Sequence, residues 1–327
     1  MTDAVVHTKN LKKYFPSRKG VVKAVDGVSL NVPAGQIFGF LGPNGAGKTT
    51  TLRILTTLIE ADSGQAIVAG LDVLKNPNDV RRHIGYVSQS GGSDRPATGL
   101  ENLVLQGRLY GMSHSDAKER ALELINLLDL SEFAERIVYT YSGGQRRRLD
   151  VALGIMHRPE VLFLDEPTTG LDPQNRANLW DQINKLRSTG TTIFLTTHYL
   201  EEADMLSDYL AIMDHGQIVT VGTPNELKKQ IARDTITISV GEPTKNNQNL
   251  ISKLKEEKLA YKVTEDNGKL HLYVKDGDHS LPQLLRYLES QKINLNTVTL
   301  TVPTLDDVFL AKTGRSLRDT AAEGTSK

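Results

Sequence analysis

The sequence of 327 residues has no cysteine, which excludes a disulfide framework and a thiolate metal site. Lys plus Arg and Asp plus Glu each number 39, so a net charge of zero gives no bulk electrostatic support for binding nucleic acid. No apolar run reaches the ~18 residues that a membrane-spanning helix needs, and the first ten residues lack the apolar segment of a signal peptide. We therefore expect a soluble, cytoplasmic chain that reaches a membrane only through a partner.

The length and the hydrophobic content of 39% are sufficient for about two domains, each with a packed core. The pattern of the sequence changes near residue 233. We expect a first domain over residues 1–232, with a helical subdomain at about 92–157, and a smaller α+β domain over residues 233–312. Residues 313–327 are polar, which predicts a disordered tail.

The most informative stretch is a glycine-rich loop between a strand-like run, Gln36–Leu41, and a helix-like run, Thr49–Leu58. It fits the pattern G-x-x-x-x-G-K-[ST]. Glycines allow successive backbone N–H groups to turn inward around a phosphate, and the helix N-terminus favours the anion. Lys48 adds a mobile positive charge, and the Thr49 hydroxyl can ligate Mg²⁺. The pattern predicts a nucleoside triphosphate site formed by Gly42, Pro43, Asn44, Gly45, Ala46, Gly47, Lys48 and Thr49.

A second cluster is expected where two acids follow an apolar run, Val161–Leu164. The run predicts a parallel strand buried on both faces, and α/β sites lie at the carboxyl ends of such strands. Asp165 suits Mg²⁺, and Glu166 can deprotonate a water, a role worth roughly 10²–10⁴-fold in rate. The alternative is a solvated acid pair. His198 ends the strand expected beside this one and could reach a γ-phosphate, although a lone histidine is more often structural.

Two further segments stay ambiguous on their residues alone. An antiparallel hairpin is predicted before the phosphate loop, with Tyr14 and Phe15 at its tip, where an aromatic ring could stack on adenine or simply belong to the sheet. Ser142 and two glycines precede a long amphipathic helix. That stretch is either an ordinary capped helix start or a second anion-binding N-terminus.

The C-terminal part is predicted to contain strand, helix, strand, strand, helix and strand, with a hairpin turn at Asn267 and Gly268. The order β-α-β-β-α-β is that of the ferredoxin-like fold. We find no catalytic pattern in this part of the sequence.

The chain resembles the ATPase subunit of ABC transporters over about residues 4–230, because five motifs occur in the family's order: the phosphate loop, Gln89, Tyr141–Gln145, Asp165–Glu166 and His198. The resemblance implies an α/β P-loop NTPase fold with a parallel core sheet, an antiparallel β subdomain and an inserted helical subdomain, followed here by the small α+β ferredoxin-like domain. It also implies that two such domains pair head to tail around ATP and Mg²⁺, as a homodimer or with another ATPase domain.

The resemblance assigns the family's roles to residues of this sequence. The catalytic residues implied are Glu166, His198 and Gln89. The Mg²⁺ ligands implied are Thr49, Gln89 and Asp165. The phosphate loop extends to Thr50, and the adenine-stacking aromatic is Tyr14. The signature, which would bind the partner's ATP, is Ser142, Gly143, Gly144 and Gln145, and the D-loop is Gly170, Leu171 and Asp172. Tyr141 departs from the family's usual leucine, which we expect to change packing more than chemistry.

A narrower resemblance, to the daunorubicin-resistance type of exporter ATPase, rests on Ser142–Asp150, Thr168–Asp172 and the closing Pro303–Leu310. It implies an ATP-hydrolysing motor that works with a separate integral membrane permease at the cytoplasmic face of the cell membrane, in drug, antibiotic or lipid efflux. The arginines after the signature are expected on a solvated, interface-forming face, and no nucleic-acid partner is expected. The alternatives are a soluble ABC-type ATPase that acts on ribosomes or nucleic acid, and a nucleotide switch without transport.

Overall fold

The structure, a computed structural model, describes residues 4–18, 20–231, 234–240, 247–257, 259–266, 269–291 and 293–317. They fall into two compact units, an N-terminal unit of the described residues up to Pro224 together with Leu317, and a C-terminal unit over Asn225–Ser316. Every described helix is too short or too polar to cross a lipid bilayer.

The N-terminal unit contains both strands and helices. In chain order its elements are β1 Ala4–Ser17, β2 Gly20–Pro33, β3 Ile37–Leu41, α1 Lys48–Leu55, β4 Ser63–Val68, β5 Leu71–Asp72, α2 Pro77–His83, β6 Ile84–Val87, α3 Gly99–Leu109, α4 His114–Leu127, α5 Gly143–Gly154, β7 Val161–Asp165, α6 Pro173–Ser188, β8 Thr192–Thr197, α7 Leu200–Leu206, β9 Tyr209–Asp214 and β10 Gln217–Gly222. A 3₁₀ turn, Val138–Thr140, precedes α5.

The central sheet has the strand order β10-β9-β3-β8-β7-β6, and its pairs are parallel except for β10 with β9. Every residue of β3, β7 and β8 is buried, as predicted for strands covered on both faces. Alternate side chains of β7 therefore enter different cores. Leu162 and Leu164 pack with residues of the helical subdomain, whereas Phe163 packs with the antiparallel subdomain. Asp165 pairs with Thr196, which confirms that the strands leading to Glu166 and His198 are neighbours.

The predicted hairpin is present, because β1 and β2 pair antiparallel within a second sheet of order β2-β1-β4-β5. Their ladder shifts register between Lys13 and Tyr14. In the helical subdomain, the hydroxyls of Thr98 and Ser113 cap the N-termini of α3 and α4. Helix α2 was not predicted, because it buries only Val80 and so has no apolar periodicity.

The C-terminal unit has the predicted β-α-β-β-α-β order. After α8, Pro224–Ile231, it contains β11 Thr235–Val240, α9 Asn247–Glu256, β12 Lys262–Asp266, β13 Lys269–Tyr273, α10 Gly277–Ser290, β14 Leu295–Thr301 and α11 Leu305–Thr313. The antiparallel strand order β12-β13-β11-β14 is ferredoxin-like. Helices α8 and α11 were not predicted. The predicted turn at Asn267 and Gly268, and residues 318–327 of the predicted tail, lie outside the described residues.

Candidate active site

The phosphate loop connects β3 to α1, as the sequence predicts. Gly47, just before α1, has a φ of 105°, and a Cβ there would collide with the carbonyl oxygen of Ala24, so the position requires glycine. Lys48 begins the helix and is 4% exposed. Its ammonium group donates hydrogen bonds to the carbonyl oxygens of Gly42 and Pro43, at 2.8 and 3.1 Å. The loop thus surrounds a buried positive charge with backbone dipoles.

An open cavity of about 910 Å³ lies over this loop, a volume in the range of small-molecule sites. The predicted site residues that line it are Asn44, Gly45, Gly47, Lys48, Thr49, Thr50, Gln89, Glu166 and His198. Gly42, Pro43 and Ala46 are buried within the loop itself. The sequence analysis assigned no site role to the other lining residues Val21, Val22, Lys23, Ala24, Thr169 and His215. Segments far apart in the chain therefore meet here, at the carboxyl ends of β3, β7 and β8.

The side chain of Glu166 joins the predicted catalytic residues. Its carboxylate lies 3.4 Å from the ammonium nitrogen of Lys48 and 3.1 Å from Nδ1 of His198. It also accepts hydrogen bonds from the Thr169 hydroxyl at 3.2 Å and from the Gln89 amide at 3.4 Å. A positive charge, an imidazole and two neutral donors therefore surround one carboxylate.

The backbone and the ionisation of Glu166 are both unusual. Its φ is 45°, a region that non-glycine residues rarely adopt, and its N–H is shared between the carbonyl and hydroxyl oxygens of Thr196. Burial raises the pKa of the Glu166 carboxyl, but His198 and Lys48 outweigh burial and lower that pKa to about 2. Burial also lowers the pKa of Lys48, against the opposing effect of Glu166. Glu166 is therefore ionised at neutral pH, as a proton acceptor must be.

Asp165, the last residue of β7, is 3% exposed. Its Oδ1 accepts hydrogen bonds from the hydroxyls of Thr49 at 3.0 Å and Thr196 at 2.7 Å. Octahedral Mg²⁺ with oxygens at roughly 2.0–2.1 Å needs adjacent ligands about 3 Å apart, so the Thr49 and Asp165 oxygens fit two such positions. Within the described residues, no group of three Asp, Glu, His or Cys side chains could hold a metal. An ion at this pair would need further oxygens from a nucleotide or water.

The hairpin places Phe15 in the wall of the cavity, and Tyr14 does not line it. The Tyr14 hydroxyl donates to the carboxylate of Asp26 at 2.5 Å, and its N–H donates to Asp62 at 2.6 Å. Successive strand residues point to opposite faces, and the register shift beside Tyr14 is not visible in sequence periodicity. The position of Tyr14 therefore does not favour its predicted stacking role, and Phe15, 38% exposed, is the aromatic available there.

The signature forms the start of α5, outside the lining of this cavity. Ser142 is the N-cap, as the sequence suggested, in a reciprocal capping box with Gln145. Ser142 and Gly143 are exposed. Gly144 is buried, and a Cβ there would collide with the Asn175 side chain of α6. The subunit thus presents a second exposed helix N-terminus, separate from its own phosphate loop.

Two neighbouring stretches support this helix start. Tyr141 donates its hydroxyl to the carbonyl oxygen of Phe133 at 2.6 Å, a packing role as expected for this departure from the family. In the predicted D-loop, Gly170 and Leu171 lead to Asp172, whose carboxylate caps the N-terminus of α6. The signature and the D-loop therefore begin two helices that pack against each other.

The prediction that the arginines after the signature lie on a solvated face is wrong for Arg147. Arg147 is 6% exposed, and its guanidinium donates to the carbonyl oxygens of Ser88, Asp165 and Pro167. The signal in the sequence was Asp150, an opposite charge one helical turn further on and itself 4% exposed. Because Arg147 stands between two other arginines, the sequence analysis assigned the same exposed position to all three.

Comparison with known proteins agrees with this geometry. Residues 25–169 match the ABC transporter family, and residues 222–313 match the family described as "ATP-binding protein DrrA1-3-like, C-terminal domain". The chain is 42% identical to the daunorubicin/doxorubicin resistance ATP-binding protein DrrA of Streptomyces peucetius, over 97% of this chain and 95% of that protein. It is 34% identical to the linearmycin resistance ATP-binding protein LnrL of Bacillus subtilis, over 96% of this chain and 100% of that protein.

A solved structure of a dimeric ATP-binding cassette, MJ0796, in a post-hydrolysis state with ADP and phosphate, matches with a TM-score of 0.61 at 26% identity. The match covers 67% of this chain and 98% of that one. The fold and the site define a P-loop ATPase of the ABC type. The chain belongs to the DrrA family of ABC transporter ATP-binding subunits.

Proposed function

We propose that the chain is the ATP-hydrolysing motor of an exporter, with ATP and Mg²⁺ bound in the cavity around Glu166. The observation that carries the proposal is the contact of Glu166 with Lys48 and His198, at 3.4 and 3.1 Å, beside a phosphate-type loop. Buried charges lose hydration and need compensation. Phosphate is the group that this loop, its lysine and its helix N-terminus are suited to bind.

ATP binding would exchange partners within the cluster. In our proposal, phosphate oxygens replace the Glu166 carboxylate as the partner of Lys48. Glu166 is then free to accept a proton from the attacking water, while Gln89 and His198 hold the water and the γ-phosphate.

The remaining roles follow from the position of each side chain. Thr49, Asp165 and Gln89 would hold Mg²⁺, which when bound neutralises charge on the phosphate oxygens. We assign adenine stacking to Phe15 in place of Tyr14, because the Phe15 ring lines the cavity.

We also propose that the ATPase domain ends within residues 224–232, near the division between the compact units.

Hydrolysis requires two ATPase domains in this proposal. The exposed helix start at Ser142 and Gly143 favours an anion, yet it does not line the subunit's own cavity. In our proposal, this helix N-terminus binds the γ-phosphate of the nucleotide held by the partner subunit. The D-loop, Gly170–Asp172, is next to the signature and would lie in the same interface. The MJ0796 cassette is described as dimeric with ADP and phosphate, which supports this arrangement.

The names of the relatives support a role in export. DrrA is named for resistance to daunorubicin and doxorubicin, and LnrL for resistance to linearmycin. We infer that this chain acts with a separate integral membrane permease, at the cytoplasmic face of the cell membrane, in efflux of a drug, an antibiotic or a lipid.

The experiment is a purification of tagged, full-length Glu166→Gln from membranes of the native host with ATP and Mg²⁺. Without its proton acceptor the site should keep ATP intact, so a closed dimer should persist and hold the permease. The matched control is Glu60→Gln, which neutralises an exposed carboxylate outside the cavity lining.

Recovery of an integral membrane protein at about one-to-one with Glu166→Gln, and in smaller amount with Glu60→Gln, supports the proposal. Co-purification of ribosomes or nucleic acid would instead indicate the soluble ATPase. Recovery of the chain without any partner would contradict the exporter assignment.

A further inference from the structure

A single turn of α5 contacts the chain on both sides of two predicted hydrolytic residues. Arg147 donates one guanidinium hydrogen bond to the carbonyl oxygen of Ser88, at 2.6 Å, immediately before Gln89. The other two go to the carbonyl oxygens of Asp165 and Pro167, at 3.1 and 2.7 Å. Those two residues flank Glu166. One planar side chain therefore links the segments that carry Gln89 and Glu166.

Asp150, one turn further along α5, completes the contact with the Gln89 segment. Its Oδ1 accepts hydrogen bonds from the N–H groups of Gly92 and Ser93, both at 3.1 Å. Gly91 has a φ of 79°, and a Cβ there would collide with the Asp150 carboxylate. The segment from residue 88 to 93 is thus held at both ends by α5.

These bonds are formed by buried charges, so they are not incidental surface contacts. Arg147 is 6% exposed and Asp150 is 4% exposed. A buried guanidinium that lost its acceptors would carry a large desolvation penalty, which favours keeping all three carbonyl oxygens in place. The guanidinium is also rigid and planar, so it restricts the positions of those three carbonyl groups more than a lysine ammonium group would.

We propose that Arg147 is a positioning residue that ties the signature helix to both Gln89 and Glu166. The inference rests on the proposed function, in which the N-terminus of the same helix contacts the partner's nucleotide. Docking of that N-terminus then sets the geometry of the subunit's own hydrolytic residues. Asp150 assists by holding the far end of the Gln89 segment.

The first test compares full-length Arg147→Lys with Arg148→Lys. Lysine keeps the charge but cannot reach three diverging carbonyls, so we expect kcat for ATP to fall roughly 10- to 100-fold, the cost of a small misplacement. The KM should stay within about twofold, because Arg147 does not contact the loop that carries Lys48. Arg148, on the same helix, donates to the Asp129 carbonyl oxygen and lies over the Phe133 ring, and its variant should keep the wild-type kcat.

A second readout does not depend on turnover. Amide hydrogen exchange over residues 88–93 should quicken in Arg147→Lys and stay unchanged in Arg148→Lys, with α1 equally protected in both. If Arg147→Lys does not fold, the isosteric Asp150→Asn serves instead. It should quicken exchange at Gly92 and Ser93 and lower kcat at constant KM. Unchanged exchange, or a lower melting temperature at wild-type kcat, would overturn the proposal.

Mixed dimers show which subunit Arg147 serves. With Glu166→Gln in one subunit, only the other subunit hydrolyses ATP. Arg147→Lys should slow turnover when it lies in the hydrolysing subunit and have no effect when it lies in the Glu166→Gln subunit. The reverse pattern would overturn the inference. If Glu166→Gln homodimers hydrolyse at the wild-type rate, the proposed function itself fails. If they are inactive while Arg147→Lys matches the wild type, only this inference fails.

Discussion

The two compact units of the chain differ in what they bury. Buried side chains of the N-terminal unit include the charged groups Lys48, Arg147, Asp150, Asp165 and Glu202. Among the described residues of the C-terminal unit, the buried side chains are apolar, as at Ile236, Leu272 and Leu288. Both units have closed hydrophobic cores, so the contrast concerns charge and not compactness.

The difference indicates where chemistry occurs. An ion that is buried without compensation costs several kcal/mol, so buried charges persist where partners and function retain them. In the N-terminal unit Lys48 lines the cavity, Asp165 accepts a hydrogen bond from Thr49 beside it, and Arg147 and Asp150 lie on α5. Burial of an aliphatic side chain contributes about 1.5–3 kcal/mol and nothing catalytic. The described interior of the C-terminal unit is therefore suited to stabilising that unit.

The largest expected effect is a loss of stability in one unit that leaves nucleotide binding by the other unit unchanged. Leu272→Ala, at a fully buried position of β13, should destabilise the C-terminal unit by about 2–5 kcal/mol. Because the cavity belongs to the N-terminal unit, the Kd for a fluorescent ATP analogue should stay within about twofold. Calorimetry of the full-length protein and a nucleotide titration measure the two quantities.

The matched control is Leu162→Ala, an equally buried leucine of β7 in the N-terminal unit. It should lower stability by a similar amount and also weaken nucleotide binding, because β7 carries Asp165 and leads to Glu166. If Leu272→Ala weakens nucleotide binding as much as Leu162→Ala does, the division between the units is wrong.

The next effect concerns the two aromatics of the hairpin. Phe15→Ala should cost about 1–3 kcal/mol of ATP binding free energy, the usual range for loss of a ring stacked on a base. Tyr14→Ala should cost less, because the Tyr14 hydroxyl is bonded to Asp26 and its ring does not line the cavity. Titrations of ATP and of triphosphate alone measure the adenine contribution. If Tyr14→Ala loses more ATP binding free energy than Phe15→Ala does, then Tyr14 is the adenine-stacking residue, as the family resemblance implies.

The last effect is a pH dependence of stability. The folded-state pKa of Glu166 is lowered from 4.5 to about 2, so its stabilising contribution is complete above pH 4.5 and is lost as the pH falls towards 2. The wild type should therefore melt above Glu166→Gln at pH 7, and the gap should narrow below pH 4.5. Glu60→Gln should show no such narrowing. A gap that is constant from pH 7 to 3 would contradict the lowered pKa.

Much of the fold could be predicted from the sequence where local pattern and final packing agree. The apolar runs before Asp165 and His198 form neighbouring buried strands, and the glycine-rich loop joins a strand to a helix. Helix α11 was missed although it has a capping box between Thr304 and Asp307 and buries Leu305, Val308 and Phe309 at helical spacing.

Some residues of the site could be predicted from the sequence and others could not. Motif residues that depend on local backbone, such as Lys48, were found. The position of Phe15 depends on a register shift, and the burial of Arg147 depends on acceptors that lie 18 to 59 residues away in the chain. Such contacts follow from tertiary structure, and local sequence carries only indirect traces of them.

The most direct test of the account is a single-turnover measurement of ATP hydrolysis by the wild type and Glu166→Gln, with bound ATP measured in parallel. Glu166 contacts Lys48, Gln89 and His198 in the structure, and we expect its removal to slow hydrolysis roughly 10²–10⁴-fold. Bound ATP should remain close to the wild-type level. Hydrolysis by Glu166→Gln at the wild-type rate would show that this cluster is not the hydrolytic site.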